Sequence, residues 1–132
     1  AVEWLCPPAA DDHWDMVEGQ GSLFHASYAG VSLGLLHGAA ADALVMCHEP
    51  TRNHMRGLPT YPLPDLAECI RVNEMMGKLT NPKVRTVGIA VNTSALDAAA
   101  ADRYLKETAD RFGMPCVDPV RTGVGAIVDT LA

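Results

Sequence analysis

Two short runs in this sequence are built alike and carry groups able to move protons and bind anions. Val17-Glu18-Gly19-Gln20-Gly21-Ser22 follows Trp14-Asp15-Met16, and Cys47-His48-Glu49-Pro50-Thr51-Arg52 follows Ala43-Leu44-Val45-Met46. In each, apolar residues break abruptly into Gly, Pro and polar side chains, the pattern of a buried strand that ends in a functional loop. Glu18 is a candidate general base or magnesium ligand, and partial burial there would raise its pKa. A helix-capping or salt-bridged acid is the plain alternative. Gly19, Gln20, Gly21 and Ser22 supply amides and a hydroxyl suited to an anion or oxyanion, although a simple turn explains them equally. Ser22 does not sit in a Gly-x-Ser-x-Gly elbow and is not read as a nucleophile.

In the second run, His48 could relay a proton near neutral pH. Glu49 and Arg52 adjoin it, with His54 and Arg56 close behind. Arg52 and Arg56 suit a carboxylate or phosphate, and a solvated loop is the bland alternative. Cys47 precedes His48, but neighbours on a strand point to opposite faces, so the two do not naturally meet. Cys47 and Cys116 read as buried, inert thiols. His25 could reach the same site, whereas His37 reads as a partner of a helix C-terminus. Asn92, ending another apolar run, is a candidate substrate ligand or a helix cap. Asp118 and Arg121 could hold a substrate or each other.

These groups need a scaffold that brings them together. Apolar runs over residues 2–5, 14–18, 43–47, 84–91 and 114–117 read as strands. Residues 29–37 read as a helix stopped by Gly38. Asp65 begins a helix to about residue 79, and Asp97 or a neighbour begins one to about Phe112, capped by Gly113. A last helix is expected over residues 123–131. Residues 48–64, with four prolines, read as a long loop. Strand and helix thus alternate, which predicts an α/β fold with a doubly wound, mostly parallel sheet. Right-handed crossovers would bring residues 18–22, 48–52, 92–94 and 118–121 to one crevice.

Composition narrows the function classes. The chain has 132 residues, 48% of them hydrophobic, which suits one folded domain and argues against disorder. A net charge of -6 argues against general nucleic-acid binding. The four cysteines form no Cys-x-x-Cys pair and the five histidines no His-Glu-x-x-His, so no metal is expected. No apolar run approaches the length of a membrane span and no basic signal region is visible, so the expected compartment is the cytoplasm. The opening Ala1-Val2-Glu3-Trp4-Leu5 reads as a strand already under way, which predicts the C-terminal part of a longer protein or domain.

Several stretches together carry a family resemblance: residues 13–25, with Trp14-Asp15-Met16-Val17-Glu18-Gly19-Gln20-Gly21-Ser22; residues 30–38; Leu44-Val45-Met46-Cys47-His48-Glu49-Pro50-Thr51-Arg52; and Asp118-Pro119-Val120-Arg121. Over nearly the whole chain they resemble the C-terminal part of the bacterial D-glutamate N-acetyltransferase family, whose fold is P-loop-like and related to Rossmann folds. The resemblance implies transfer of acetyl from acetyl-CoA, as cosubstrate, to the amine of D-glutamate in D-amino-acid catabolism. Given that reaction, the chemistry of the residues themselves makes Glu18 or His48 the candidate base. Arg52 or Arg56 would bind a substrate carboxylate, with Glu49, Asn92 and Arg121 as further substrate contacts. Residues 19–22 would stabilise the oxyanion or approach a CoA phosphate. The family's glycine-rich phosphate loop lies earlier in the longer protein, and this sequence contains no Gly-x-x-x-x-Gly-Lys-[Ser/Thr]. A preceding segment or another chain is therefore expected to complete the site, within a homo-oligomer. Two other readings stay open: a P-loop-type kinase or ligase-like enzyme with Glu18 or Asp15 on magnesium, and a non-catalytic ligand-binding or assembly domain.

Overall fold

The computed structural model describes residues 1–19 and 22–131. Its elements run α1 (Val2–Leu5), α2 (Ala29–Ala39), β1 (Ala43–His48), β2 (His54–Met55), β3 (Leu58–Pro62), α3 (Leu66–Gly77), β4 (Arg85–Val91), α4 (Ala98–Phe112), β5 (Cys116–Val117) and α5 (Gly125–Val128). The main sheet has the order β1-β4-β5, and both pairings are parallel. Met46 pairs with Ile89, His48 with Val91, and Ala90 with Val117, so the three strands end side by side.

Local chemistry explains most boundaries. The Asp65 carboxylate accepts from Ala67 N at 2.8 Å and starts α3, and Asp97 accepts from Ala100 N at 2.8 Å and starts α4. Gly113, at φ 64°, ends α4 in the left-handed conformation that glycine adopts without strain. Strand β4 carries the core. Ile89 and Val91 are fully buried and pack with Leu66 of α3 and Leu105 of α4 on one face of the sheet. On the other face Val87 and Val117 meet Ile127 of α5. Helices therefore cover both faces, as expected of a doubly wound α/β fold.

The structure corrects several expectations. Residues 2–5 form a helical turn, not a strand. Residues 14–18 form no strand either, and Trp14, Met16 and Val17 are exposed, Met16 by 90%. Apolar composition does not make a strand unless another strand satisfies its backbone groups, and no described strand lies beside this one. Helix α2 runs through Gly38 and stops at Ala40, which takes the left-handed conformation at φ 46°. The loop over residues 48–64 contains the antiparallel β2-β3 ribbon, where Pro59 and Pro62 are tolerated because a two-stranded ribbon has only edges. The last helix is only Gly125–Val128.

Two histidines tie the first third of the chain to this frame. Buried His25 accepts from Ser27 N at its Nδ1 and donates from Nε2 to the Arg56 carbonyl at 3.1 Å, which pins it to the turn between β2 and β3. His37 Nε2 donates to the Met76 carbonyl at 3.0 Å and joins α2 to α3. Both act as cross-braces, so His25 does not reach the site as expected.

Because Ile89 has no exposed surface and joins the sheet to both α3 and α4, Ile89→Ala should destabilise the fold by about 2–5 kcal/mol. Urea unfolding of the isolated domain, against Ile89→Val at about 0.5–1.5 kcal/mol, checks the value.

Candidate active site

Because β1, β4 and β5 are parallel and their last residues pair, the loops that follow them meet at one edge of the sheet. There a crevice of about 370 Å³ is walled by Cys47 and His48 from β1, Asn92 and Ser94 after β4, and Asp118 and Val120 after β5. Ala90, Val91 and Pro119 make most of its surface apolar. This is the position where open α/β sheets bind ligands. Of the four expected segments, those around His48, Asn92 and Asp118 line it.

A buried carboxylate holds the rim. One oxygen of Asp118 accepts from Thr93 N at 3.1 Å and from Thr93 Oγ1. The other accepts from Val120 N at 3.0 Å and Arg121 N at 3.2 Å. The Thr93 hydroxyl contributes most to lowering the Asp118 pKa to about 2, and the backbone amides help against the opposing effect of burial. Asp118 therefore clamps the loop after β5 to the loop after β4. The Arg121 guanidinium reaches the same clamp, donating to Thr93 Oγ1 at 3.4 Å and to Asp102 at 3.2 Å. Asn92 closes its own turn by accepting from Ser94 N at 3.1 Å.

His48 is the group best placed for proton transfer. Its ring stacks on Tyr104 of α4, with centroids 6.2 Å apart and planes 24° apart. Among the described residues nothing hydrogen-bonds its ring nitrogens. Burial lowers its pKa below the usual histidine value; the Glu49 carboxylate pulls the other way and Arg52 lowers it further. The ring is thus neutral at pH 7, the form that accepts a proton. Arg52 donates to Glu49 in an exposed pair beside it. His48 also borders a second hollow, of about 440 Å³, between residues 52–66, Asp65 among them, and α4. Arg52, Tyr104, Glu107 and Arg111 line that hollow.

Other candidates lie elsewhere. Glu18 is exposed, not at a buried strand end, and lines neither hollow. It lies near Cys47, whose thiol is held above its usual pKa first by desolvation and then by the Glu18 charge. Cys47 opens to solvent rather than being buried, and its raised pKa keeps it a thiol at neutral pH. Half-buried Cys116 is pushed up to about 11 by burial. Gly19 packs on α2, where a Cβ would come within 2.3 Å of Leu35 Cδ1. Gln20 and Gly21 lie outside the described residues. The Ser22 hydroxyl accepts from Phe24 N at 3.2 Å, closing a turn. Arg56 is exposed at the β2-β3 turn and lines neither hollow.

Tyr104 and Arg111 were not anticipated. With Glu107 they recur at helical spacing, which marks one face of α4. The sequence does not say which face of α4 meets His48. Among the described residues no three His, Cys, Asp or Glu side chains are grouped to hold a metal.

The Asp118 clamp has a pH signature. Its folded pKa lies below the unfolded value, so its stabilisation is complete above about pH 4 and is lost as pH falls toward about 2. Asp118→Asn should lower stability at pH 7 and flatten the fall in unfolding free energy over that acid range, as read by urea titrations at several pH values.

The comparisons with known proteins fit this geometry. The chain is 52% identical over 132 residues to a D-glutamate N-acetyltransferase of Tritonibacter scottomollicae. It is 50% identical over 131 residues to one from a Pseudoalteromonas species. The matches cover 100% and 99% of this chain but 40% of each relative. A crystal structure of a DUF1611 family protein from Anabaena variabilis superposes with a TM-score of 0.78 at 36% identity, over 86% of this chain and 34% of that one. Residues 1–128 match the family described as domain of unknown function DUF1611, C-terminal P-loop domain. The chain therefore belongs to the DUF1611 family and corresponds to its C-terminal P-loop domain.

Proposed function

We propose that this domain forms the acid-base and acceptor side of an N-acetyltransferase that moves acetyl from acetyl-CoA to the amine of D-glutamate. The observation that carries the reading is 52% identity, across the whole chain, to a protein named for that activity. His48 supplies the chemistry. Its neutral imidazole takes a proton from the substrate ammonium, freeing the nitrogen lone pair. The nitrogen then bonds to the acetyl carbonyl carbon and the carbon–sulfur bond breaks; CoA leaves as a thiolate that takes the proton the nitrogen sheds on becoming an amide, and the proton on His48 passes to solvent. The apolar walls at Ala90, Val91 and Val120 suit the uncharged arm of a thioester.

The phosphate end of CoA needs a counterpart from outside this sequence. We assign it to the remaining part of a longer chain, in a homo-oligomer. Exposed Trp4, Trp14 and Met16 give such an assembly apolar surface to cover. The four free cysteines suit a reducing cytoplasm. No described helix is long and apolar enough to cross a membrane.

The full-length protein, given acetyl-CoA, should release free CoA thiol only when D-glutamate is present. His48→Ala should lower kcat/KM by about 10²–10⁴-fold. With wild type, kcat/KM should fall on the acid side with a midpoint below the usual histidine pKa, because burial lowers the His48 pKa and protonated His48 cannot accept the substrate's proton. No thiol release, or product formation driven by ATP without acetyl-CoA, overturns the reading.

A further inference from the structure

The hollow beside α4 has a composition that the acyl-transfer step alone does not explain. It brings two guanidinium groups, Arg52 and Arg111, to one cavity from remote parts of the chain. Arg52 follows β1, while Arg111 lies in the last turn of α4. Both are oriented in advance. Arg52 is held by Glu49. Arg111 donates to both oxygens of Asp65, at 3.1 and 3.2 Å, and lies 4.7 Å over the Phe112 ring. These ion pairs are exposed, the Arg111–Asp65 pair by 56% on each side. Exposed pairs contribute little to stability, so an incoming carboxylate can share or replace them at small cost. A guanidinium held in plane by a ring loses little freedom when it binds a carboxylate.

The same cavity holds groups for a cation. Glu107 lies one helical turn before Arg111, and His48 lines the same hollow against the Tyr104 ring. A site for a simple anion gains nothing from a carboxylate in its wall. A molecule with two carboxylates and one ammonium matches both guanidinium groups, Glu107 and His48, and needs only Asp65, also in the wall, to share or yield Arg111.

We infer that the hollow between residues 52–66 and α4 is a binding site for an acidic amino acid, in which Arg52 and Arg111 hold the two carboxylates and the amine faces His48. The acyl donor then approaches from the other side of His48, through the apolar crevice that the imidazole also borders. One residue thus serves two separate openings, and acceptor and donor need not compete for space. Arg111 becomes a specificity-determining residue that separates acidic from neutral amino acids. The orientation of the amine rests on the acyltransferase reading, but capture of a dicarboxylate does not.

The test uses the full-length protein and two readouts. The first is binding of glutarate, which has both carboxylates and no amine, measured by calorimetry without acetyl-CoA. Wild type should bind it. Arg111→Gln and Arg52→Gln should each weaken binding by about 10-fold or more. Arg103→Gln, on the same helix but outside the hollow, should leave it unchanged. The second readout is kinetic. Arg111→Gln should raise KM for D-glutamate by about 10-fold or more, leave KM for acetyl-CoA unchanged, and reduce the preference for D-glutamate over D-norvaline. Unchanged glutarate affinity and an unchanged preference in Arg111→Gln would falsify the assignment. If wild type binds glutarate through Arg111 yet acetylates no D-glutamate, the site stands and the acyltransferase reading falls.

Discussion

The parallel pairing of β4 with both β1 and β5 is the constraint on which this domain rests. A central strand must have its backbone groups satisfied along both edges and its side chains covered on both faces. Fully buried Ile89 and Val91 meet the second demand from one side, and Val87 with Ile127 meets it from the other. Parallel pairing also forces a crossover after each strand, which α3 and α4 provide. Every loop that leaves a strand end must then emerge at the same edge. The crevice is a product of that geometry before any side chain is considered.

Within this frame the alternation of β1 separates two chemistries. Met46 faces the core shared with α3 and α4. His48, two residues on, shares that face and reaches Tyr104. Cys47 faces the opposite way, toward Glu18. The imidazole loses solvent and stays neutral at pH 7, while the thiol stays protonated. Two chain neighbours thereby keep different environments, although both border the crevice. The Asp118 clamp completes the arrangement by holding the two rim loops together with charge-assisted hydrogen bonds. The rim is thus ordered by the protein's own hydrogen bonds.

The sequence was most readable where a signal was local. The β4 run, the Asp65 and Asp97 caps and the Gly113 stop all lie where their own residue chemistry puts them. It misled where an apolar pattern had no partner. Residues 14–18 resemble residues 43–47 in character, yet only the second segment finds a neighbouring strand. Ser22 and His25 illustrate the same limit. Both are polar groups near a glycine-rich stretch, and both are used by nearby backbone groups instead of being aimed at the strand ends.

The sequence by itself determined the α/β class, the limits of β1, β4, α3 and α4, and the family resemblance, and it offered residues 18–22 and 48–52 as equal candidates. Those properties depend on side-chain type and on spacing within a few residues, where backbone preference and periodicity act. Only the tertiary structure decided that Glu18 lies on the Cys47 side of β1, that Arg56 turns away, and that Tyr104 and Arg111 arrive beside His48. Residues 48 and 111 are joined by the packing of α4 onto β1 and β4 through a shared core. That contact depends on how three elements bury their apolar faces at once, and no local pattern in the chain encodes it.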